Sequence, residues 1–200
     1  MDVRIAPATP PRLGPLARVV AWAAGRATAG PPPHIFTTLG RHRRLFRSWI
    51  VFAATMLLRT RLPRADVELV ILRTAHNCSS PYEWAQHAYL ARKAGLGDEV
   101  VAAVPDWEHA AGLTDRQRLL LAATDELHDR RTLTQATWDR LRAALDDAEL
   151  IELCMLTGHY EMLAMTLNSL GVAPEPALLD ALGEGDRHIV RQLREGTPSA

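Results

Sequence analysis

The sequence predicts an all-α fold, a compact bundle of packed helices, and three observations carry that expectation. Helix start and stop signals recur along the whole chain, and the alternation of a half-buried strand is almost absent. Apolar residues make up 48% of 200 residues, enough for one domain to bury a sizeable core. The longest apolar run, Trp49 to Leu58, suits a buried helix and falls short of the roughly 20 residues that span a bilayer.

Leu13 to Ala27 reads as the first helix, closed by Gly30-Pro31-Pro32-Pro33, which cannot continue one. That proline run predicts a hinge between an N-terminal arm, residues 1–33, and a helical domain, residues 34–200. His42 to Arg59 follows as a long amphipathic helix, with Leu45, Trp49, Phe52 and Met56 at helical spacing. Pro63 opens a helix running to about Asn77, and Pro81 opens the next, which Gly95 closes at a position suited to a left-handed cap. A short helix from Gly97 to Val104 is expected to stop at Pro105. Thr114-Asp115-Arg116-Gln117 is a capping box for a helix reaching about Asp129. Thr134 to Leu145 and Asp146 to Leu170 complete the set, the latter carrying Gly158 inside and Gly171 at its end. Pro174 and Pro176 are expected to prevent its resumption, and a last amphipathic helix from Gly183 frays at Gly196-Thr197-Pro198-Ser199-Ala200.

Charge is balanced at 23 basic and 23 acidic residues, which argues against nucleic acid or an anionic membrane as partner. The two cysteines, Cys78 and Cys154, form no paired motif, the pattern of a reducing compartment. Pro7, Pro10, Pro11 and Pro15 interrupt the segment where a signal peptide would need its apolar stretch. A cytoplasmic protein with no membrane partner is the expectation.

Chemistry concentrates between residues 68 and 87. Glu68 lies in Val67-Glu68-Leu69-Val70-Ile71-Leu72, where desolvation would raise a carboxyl towards the working range of a general acid or base. Periodicity tilts instead towards a solvated stripe edged by Arg64 and Arg73. In Ser80-Pro81-Tyr82-Glu83-Trp84-Ala85-Gln86-His87, Ser80 can cap a helix, and Glu83 stands where a capping box places its carboxylate. His87 shares the apolar face with Glu83, Trp84, Leu90, Ala91 and Ala94, where an imidazole needs a partner. Taken alone, it reads as a core histidine satisfied by one carbonyl.

Other residues have plainer readings. Cys78 precedes a helix N-terminus, where the macrodipole can lower a thiol pKa, but no second cysteine stands near enough to resolve a disulfide. Cys154 reads as a core thiol, and Met155, Met162 and Met165 as core packing. Gly158 invites close approach by another helix or a ligand. His76, Cys78, Glu83, His87 and Asp125-Glu126-Leu127-His128 include metal-ligand types. No metal-binding motif joins them, so neither a metal nor a cofactor is expected.

With these residues assembled, the chain resembles the carboxymuconolactone decarboxylase family, which shares its all-helical fold with alkyl hydroperoxidase D. The resemblance runs from about Leu45 to Val172. It rests on Glu68-Leu69-Val70-Ile71-Leu72, Asn77-Cys78 and Tyr82-Glu83-Trp84-x-x-His87. Asp125-Glu126-Leu127-His128, Gly158-x-Tyr160 and Leu167-Asn168 add support.

The resemblance implies functional positions. The peroxidase branch pairs a glutamate and a histidine with a Cys-x-x-Cys. Here the glutamate falls on Glu68 and the histidine on His87, while Ser80 and Glu83 replace both thiols. The implied activity is acid–base chemistry without redox, by a cofactor-free lyase or isomerase acting on a small carboxylated or lactone-like molecule. His87, Glu68 and Glu83 are the implied catalytic residues, and Tyr82, Trp84, Cys78 and His128 the implied substrate contacts. A thiol-dependent peroxidase using Cys78 and a non-catalytic ligand-binding oligomer are the alternatives. The family typically assembles as trimers or multiples of them, which implies a homo-oligomer here.

Overall fold

The computed structural model describes residues 3–27 and 30–196, so the fraying expected at 197–200 and the ends of the N-terminal arm lie outside the described residues. Among them only helices and turns occur. The elements are α1 (Pro15–Ala27), α2 (His34–Leu39), α3 (Arg43–Leu58), α4 (Arg64–Asn77), α5 (Pro81–Lys93), α6 (Asp98–Ala103), α7 (Asp115–Arg130), α8 (Gln135–Ala144), α9 (Asp147–Leu170), α10 (Pro176–Ala181) and α11 (Glu184–Glu195).

Local chemistry sets most of these boundaries. Thr114 and Asp146 each accept a backbone N–H three residues on, while Gln117 and Glu149 return the bond, so α7 and α9 both begin in complete capping boxes. Gly171 ends α9 at φ +66°, a left-handed conformation that glycine adopts without strain.

Helices α2 and α10 were not anticipated. Helix α9 ends at Leu170 and does not resume, as expected, while Pro176 stands at the first position of the separate α10, where its missing N–H costs nothing. Pro105 does not stop α6 outright, because the chain continues as a 3₁₀ turn over Val104–Asp106.

Helix α4 is the axle of the molecule, packed against α5, α7 and α9. Every residue from Asp66 to Leu72 is buried, so the helix is enclosed on all sides rather than along one stripe. That enclosure outweighs the modest helix propensity of Val67, Val70 and Ile71. One apolar cluster joins α3, α4, α7, α8 and α9 through Met56, Val70, Ile71, Leu120, Leu153 and Leu156. A second joins α4 and α5 to α6, α7 and α11 through Leu72, Trp84, Ala88, Val101, Leu121 and Val190. The N-terminal segment docks on α3, with Ala8, Leu13 and Ala17 around Phe46.

Helix α3 turns most of the expected face to the core: Met56 is buried and Trp49 and Phe52 pack against the first cluster, joined by the buried Phe46 and Ala53, while Leu45 is 61% exposed. The methionines of α9 are corrected more strongly. Met155, Met162 and Met165 are exposed, as is Ile151, and at helical spacing the four form one apolar stripe with Gly158 at its centre. A Cβ at Gly158 would meet nothing within 4 Å, so among the described residues no element uses the close approach that glycine permits. Cys154, expected in the core, is exposed beside this stripe.

Candidate functional site

A tight reversal between α4 and α5 builds the site. Ser79 adopts φ +48°, left-handed and uncommon for a non-glycine residue, and Ser80 N–H donates to Ala75 O at 2.8 Å. Asn168 of α9 donates from Nδ2 to the carbonyls of Cys78 (3.0 Å) and Ser79 (3.1 Å), holding the reversal in place. The chain therefore folds back with α5 lying against α4.

That packing brings Glu68 to His87. The Nδ1 atom of His87 lies 2.7 Å from Glu68 Oε2, with His87 7% exposed and Glu68 fully buried. The solvated-stripe reading of Glu68 is thus overturned, because α4 has no solvated side at this level. Arg64, one turn earlier on α4, forms an ion pair with the other carboxylate oxygen. A buried carboxylate so flanked fixes the orientation of the imidazole, and Nδ1 carries the proton when it donates to Glu68. Tyr160 of α9 meets the His87 ring edge-on, with centroids 5.0 Å apart at 90°.

Glu83 departs most from expectation. Ser80 does stand at the N-cap, but its side chain makes no capping bond, and neither carboxyl oxygen of Glu83 has a hydrogen-bond partner in ordinary geometry. The capping box is absent because the Ser79 reversal and the α9 contacts draw this turn into the interior, where Glu83 is 2% exposed. Burial pushes its pKa well above the usual carboxyl range, against a weak opposing influence from the Ser80 hydroxyl. Burial therefore favours the neutral, protonated form of Glu83. Tyr160 is likewise kept protonated, first by burial and then by the nearby Glu68 and Glu83.

The other site residues divide. Tyr82 is a core residue whose hydroxyl donates to Glu175 Oε1 at 3.0 Å and accepts from Ile35 N–H at 3.1 Å. Trp84 is fully buried in the second apolar cluster. Within this chain both side chains pack in the interior.

Cys78 and His128 do come together. Cys78 Sγ lies 3.8 Å from His128 Nδ1, which lies 2.8 Å from Glu161 Oε1. The Cys78 thiol is not activated by a helix N-terminus. Burial pushes it up to about 12, with Glu161 and Glu83 adding to the rise and Arg131 opposing it. Both cysteines are free.

Sequence reasoning gave no role to His159, Glu161 or Arg64. His159 is buried against Trp49 and Phe52, its Nδ1 has no partner, and its pKa falls to about 4 through burial and the adjacent His87. The Gly158-His159-Tyr160-Glu161 run was the available signal, but the neighbours of these side chains lie on α3, α5 and α7.

A polar cavity of about 530 Å³ opens beside α4 and α7, lined by residues including Arg73, His76, Asn77, Trp107, Asp125 and His128. Neither Glu68 nor His87 borders it. Within it Asp125 is saturated, accepting from Arg73 (2.6 and 2.9 Å), Asn77 (2.7 Å) and Trp107 (2.8 Å), which marks this carboxylate as a structural clasp. Among the described residues no helix is long and apolar enough to cross a membrane.

Residues 43–126 match the Carboxymuconolactone decarboxylase family. Among solved structures, the chain is similar to an alkylhydroperoxidase AhpD core, an uncharacterized peroxidase-related protein from Ralstonia eutropha JMP134. The TM-score is 0.80 at 17% identity, over 89% of this chain and 95% of that one. A peroxidase-related protein from Silicibacter sp. TM1040 aligns with TM-score 0.76 and 14% identity, over 89% and 92% of the two chains. A variant of the debrominase Bmp8 in complex with 2,3,4-tribromopyrrole aligns with TM-score 0.76 and 12% identity, over 96% and 98%. At such identities the likeness is one of fold. No curated protein matches the chain.

Proposed function

Since residues 43–126 match the Carboxymuconolactone decarboxylase family, we propose that the chain is a cofactor-free acid–base enzyme of that kind, acting on a small carboxylated, lactone-like or enolisable molecule. The observation that carries this reading is the buried Glu68–His87 pair at 2.7 Å with the neutral Glu83 one turn away on α5. Two carboxyl groups in one site, one held by Arg64 and His87 and one driven towards its neutral form by burial, divide the roles of orienting partner and acid.

In a decarboxylation, the C–C bond to the carboxylate breaks, carbon dioxide leaves, and its electron pair becomes an enolate. Glu83 or His87 delivers the proton that quenches this enolate at carbon and is reprotonated from water. Glu68 holds the imidazole in register, and the protonated Tyr160 hydroxyl can donate to the oxygen that carries the developing charge. An isomerisation uses the same groups, with the first proton taken from substrate carbon instead.

A thiol-redox reading fares worse, because Ser80 and Glu83 stand at the thiol positions and the Cys78 thiol is protonated near neutral pH. We also propose a homo-oligomer, with the exposed Ile151, Met155, Met162 and Met165 stripe of α9 as its contact.

The test is a screen of carboxylated lactones and enolisable acids for carbon dioxide release, run in parallel in D₂O for deuterium entry at carbon. Turnover or exchange that vanishes in His87→Gln supports the reading. Hydroperoxide reduction lost in Cys78→Ser, with no exchange on any acid, would replace it by the redox alternative.

A further inference from the structure

Cys78, His128 and Glu161 come from the end of α4, from α7 and from α9, with 50 positions between the first two and 33 between the last two. Among the described residues they form a group whose ligand atoms all lie within 4.8 Å of one another. All three are half-buried, so the cluster is neither loose surface charge nor sealed core.

Two chemistries use a thiol, an imidazole and a carboxylate together, and the geometry separates them. A nucleophilic relay needs the two ring nitrogens in different roles, one facing the thiol and the other the carboxylate. Here the same nitrogen, Nδ1, is the one 3.8 Å from Cys78 Sγ and 2.8 Å from Glu161 Oε1. One nitrogen cannot both take the thiol proton and be oriented by the carboxylate. Three donor atoms converging on one point is instead the arrangement a metal ion requires.

The sulfur-to-nitrogen distance agrees with that, while the 2.8 Å hydrogen bond between His128 Nδ1 and Glu161 Oε1 opens when an ion enters. A tetrahedral zinc ion with bonds of about 2.3 Å to sulfur and 2.0–2.1 Å to nitrogen sets these two ligands about 3.6 Å apart, close to the separation found. Sulfur, nitrogen and carboxylate oxygen form a mixed set suited to zinc-class ions and poorly suited to calcium or magnesium, which take oxygen.

We propose that Cys78, His128 and Glu161 form a binding site for a zinc-class divalent cation. The Cys78 thiolate and the Glu161 carboxylate together balance the two charges of the ion. Arg131 donates from one nitrogen to both carboxylate oxygens of Glu161, at 2.8 Å to Oε1 and 2.7 Å to Oε2, so on binding Oε1 turns from Arg131 to the ion while Oε2 keeps its bond. The thiol proton is released to solvent on binding, as a coordinated cysteine requires. His128 also lines the 530 Å³ polar cavity, which leaves water a path to a fourth coordination position.

Cobalt(II) serves as the spectroscopic probe, added to the full chain carrying Cys154→Ser so that the exposed thiol cannot contribute. One equivalent should give a thiolate-to-cobalt charge-transfer band and the intense visible absorption of a tetrahedral site, with zinc displacing it. Cys78→Ser should abolish the charge-transfer band, and His128→Gln and Glu161→Gln should each weaken binding at least 10-fold. Zinc should also raise the melting temperature of the parent protein and not that of Cys78→Ser. Absence of the band in the folded parent protein, or its survival in Cys78→Ser, would overturn the site. None of these readouts depends on catalytic activity.

Discussion

Glu83 and His87 share one face of α5, a single turn apart, yet the fold treats them in opposite ways. His87 is held by a carboxylate at 2.7 Å, whereas the carboxyl of Glu83 is buried with no hydrogen-bond partner in ordinary geometry. One is positioned and the other is kept protonated. Five expected outcomes follow from this contrast and from the groups around it.

His87→Gln keeps hydrogen bonding and approximate size but cannot shuttle a proton near neutral pH. It should remain folded and lose about 10²–10⁴-fold in turnover on a substrate found by the screen. Cys78→Ser should retain turnover. Steady-state rates and circular dichroism on both variants check this, and normal turnover by His87→Gln would make the histidine structural.

Glu83 has a folded pKa raised above its unfolded value, so its contribution to stability is fully present below the unfolded pKa of about 4.5 and is lost as pH rises through the folded pKa. Glu83→Gln removes that loss. Denaturant melts should show the variant gaining stability over the parent protein as pH increases above 4.5. A constant difference between the two proteins across pH would mean that Glu83 is not a buried neutral acid.

His159 has the opposite sign. Its unfolded pKa is 6.5 and its folded pKa about 4, so the unfolded chain takes up a proton first as the solution is acidified. Stability should therefore fall between pH 6.5 and about 4, by ~2 kcal/mol after allowance for screening. His159→Phe should flatten this window in urea titrations. If the acid-side slope persists unchanged, other groups cause it.

The two thiols should differ in reactivity. Cys78 is half-buried with its pKa pushed up to about 12, while Cys154 is exposed. An alkylating reagent at neutral pH should label Cys154 first, as read by peptide mass spectrometry, and hydroperoxides should not be turned over by a dithiol cycle. Faster labelling of Cys78 would show an activated thiol.

The apolar stripe of α9 should mediate self-association. Met162→Asp places a charge at its centre, beside Gly158, and should shift the protein to smaller species in size-exclusion chromatography with light scattering. An unchanged mass would exclude this face as the contact.

Several of these features could be read in the chain before folding. Pro81 at the head of α5, the Thr114 capping box and Gly95 after α5 depend on chemistry within a few residues, so their positions were legible. The side of α5 that carries Glu83, Trp84, His87 and Ala91 was legible too, since the polar Gln86, Arg92 and Lys93 fall away from it. The Ser80–Glu83 box was misread because the motif is local while its failure is not. Asn168, 89 and 90 positions away, helps hold the turn whose packing buries Glu83.

The sequence by itself determined the helical class, most element boundaries and the replacement of both thiol positions by Ser80 and Glu83. Only the tertiary structure decided which surfaces meet. It enclosed α4 on every side and gave Glu68 to His87, left Met155, Met162 and Met165 facing outward, and gathered Cys78, His128 and Glu161 around one point. Capping and helix periodicity act over three or four residues and leave their mark in the local sequence. Burial is set by which distant helix covers a given face, and hydrophobicity alone does not distinguish a face turned to the core from one turned outward.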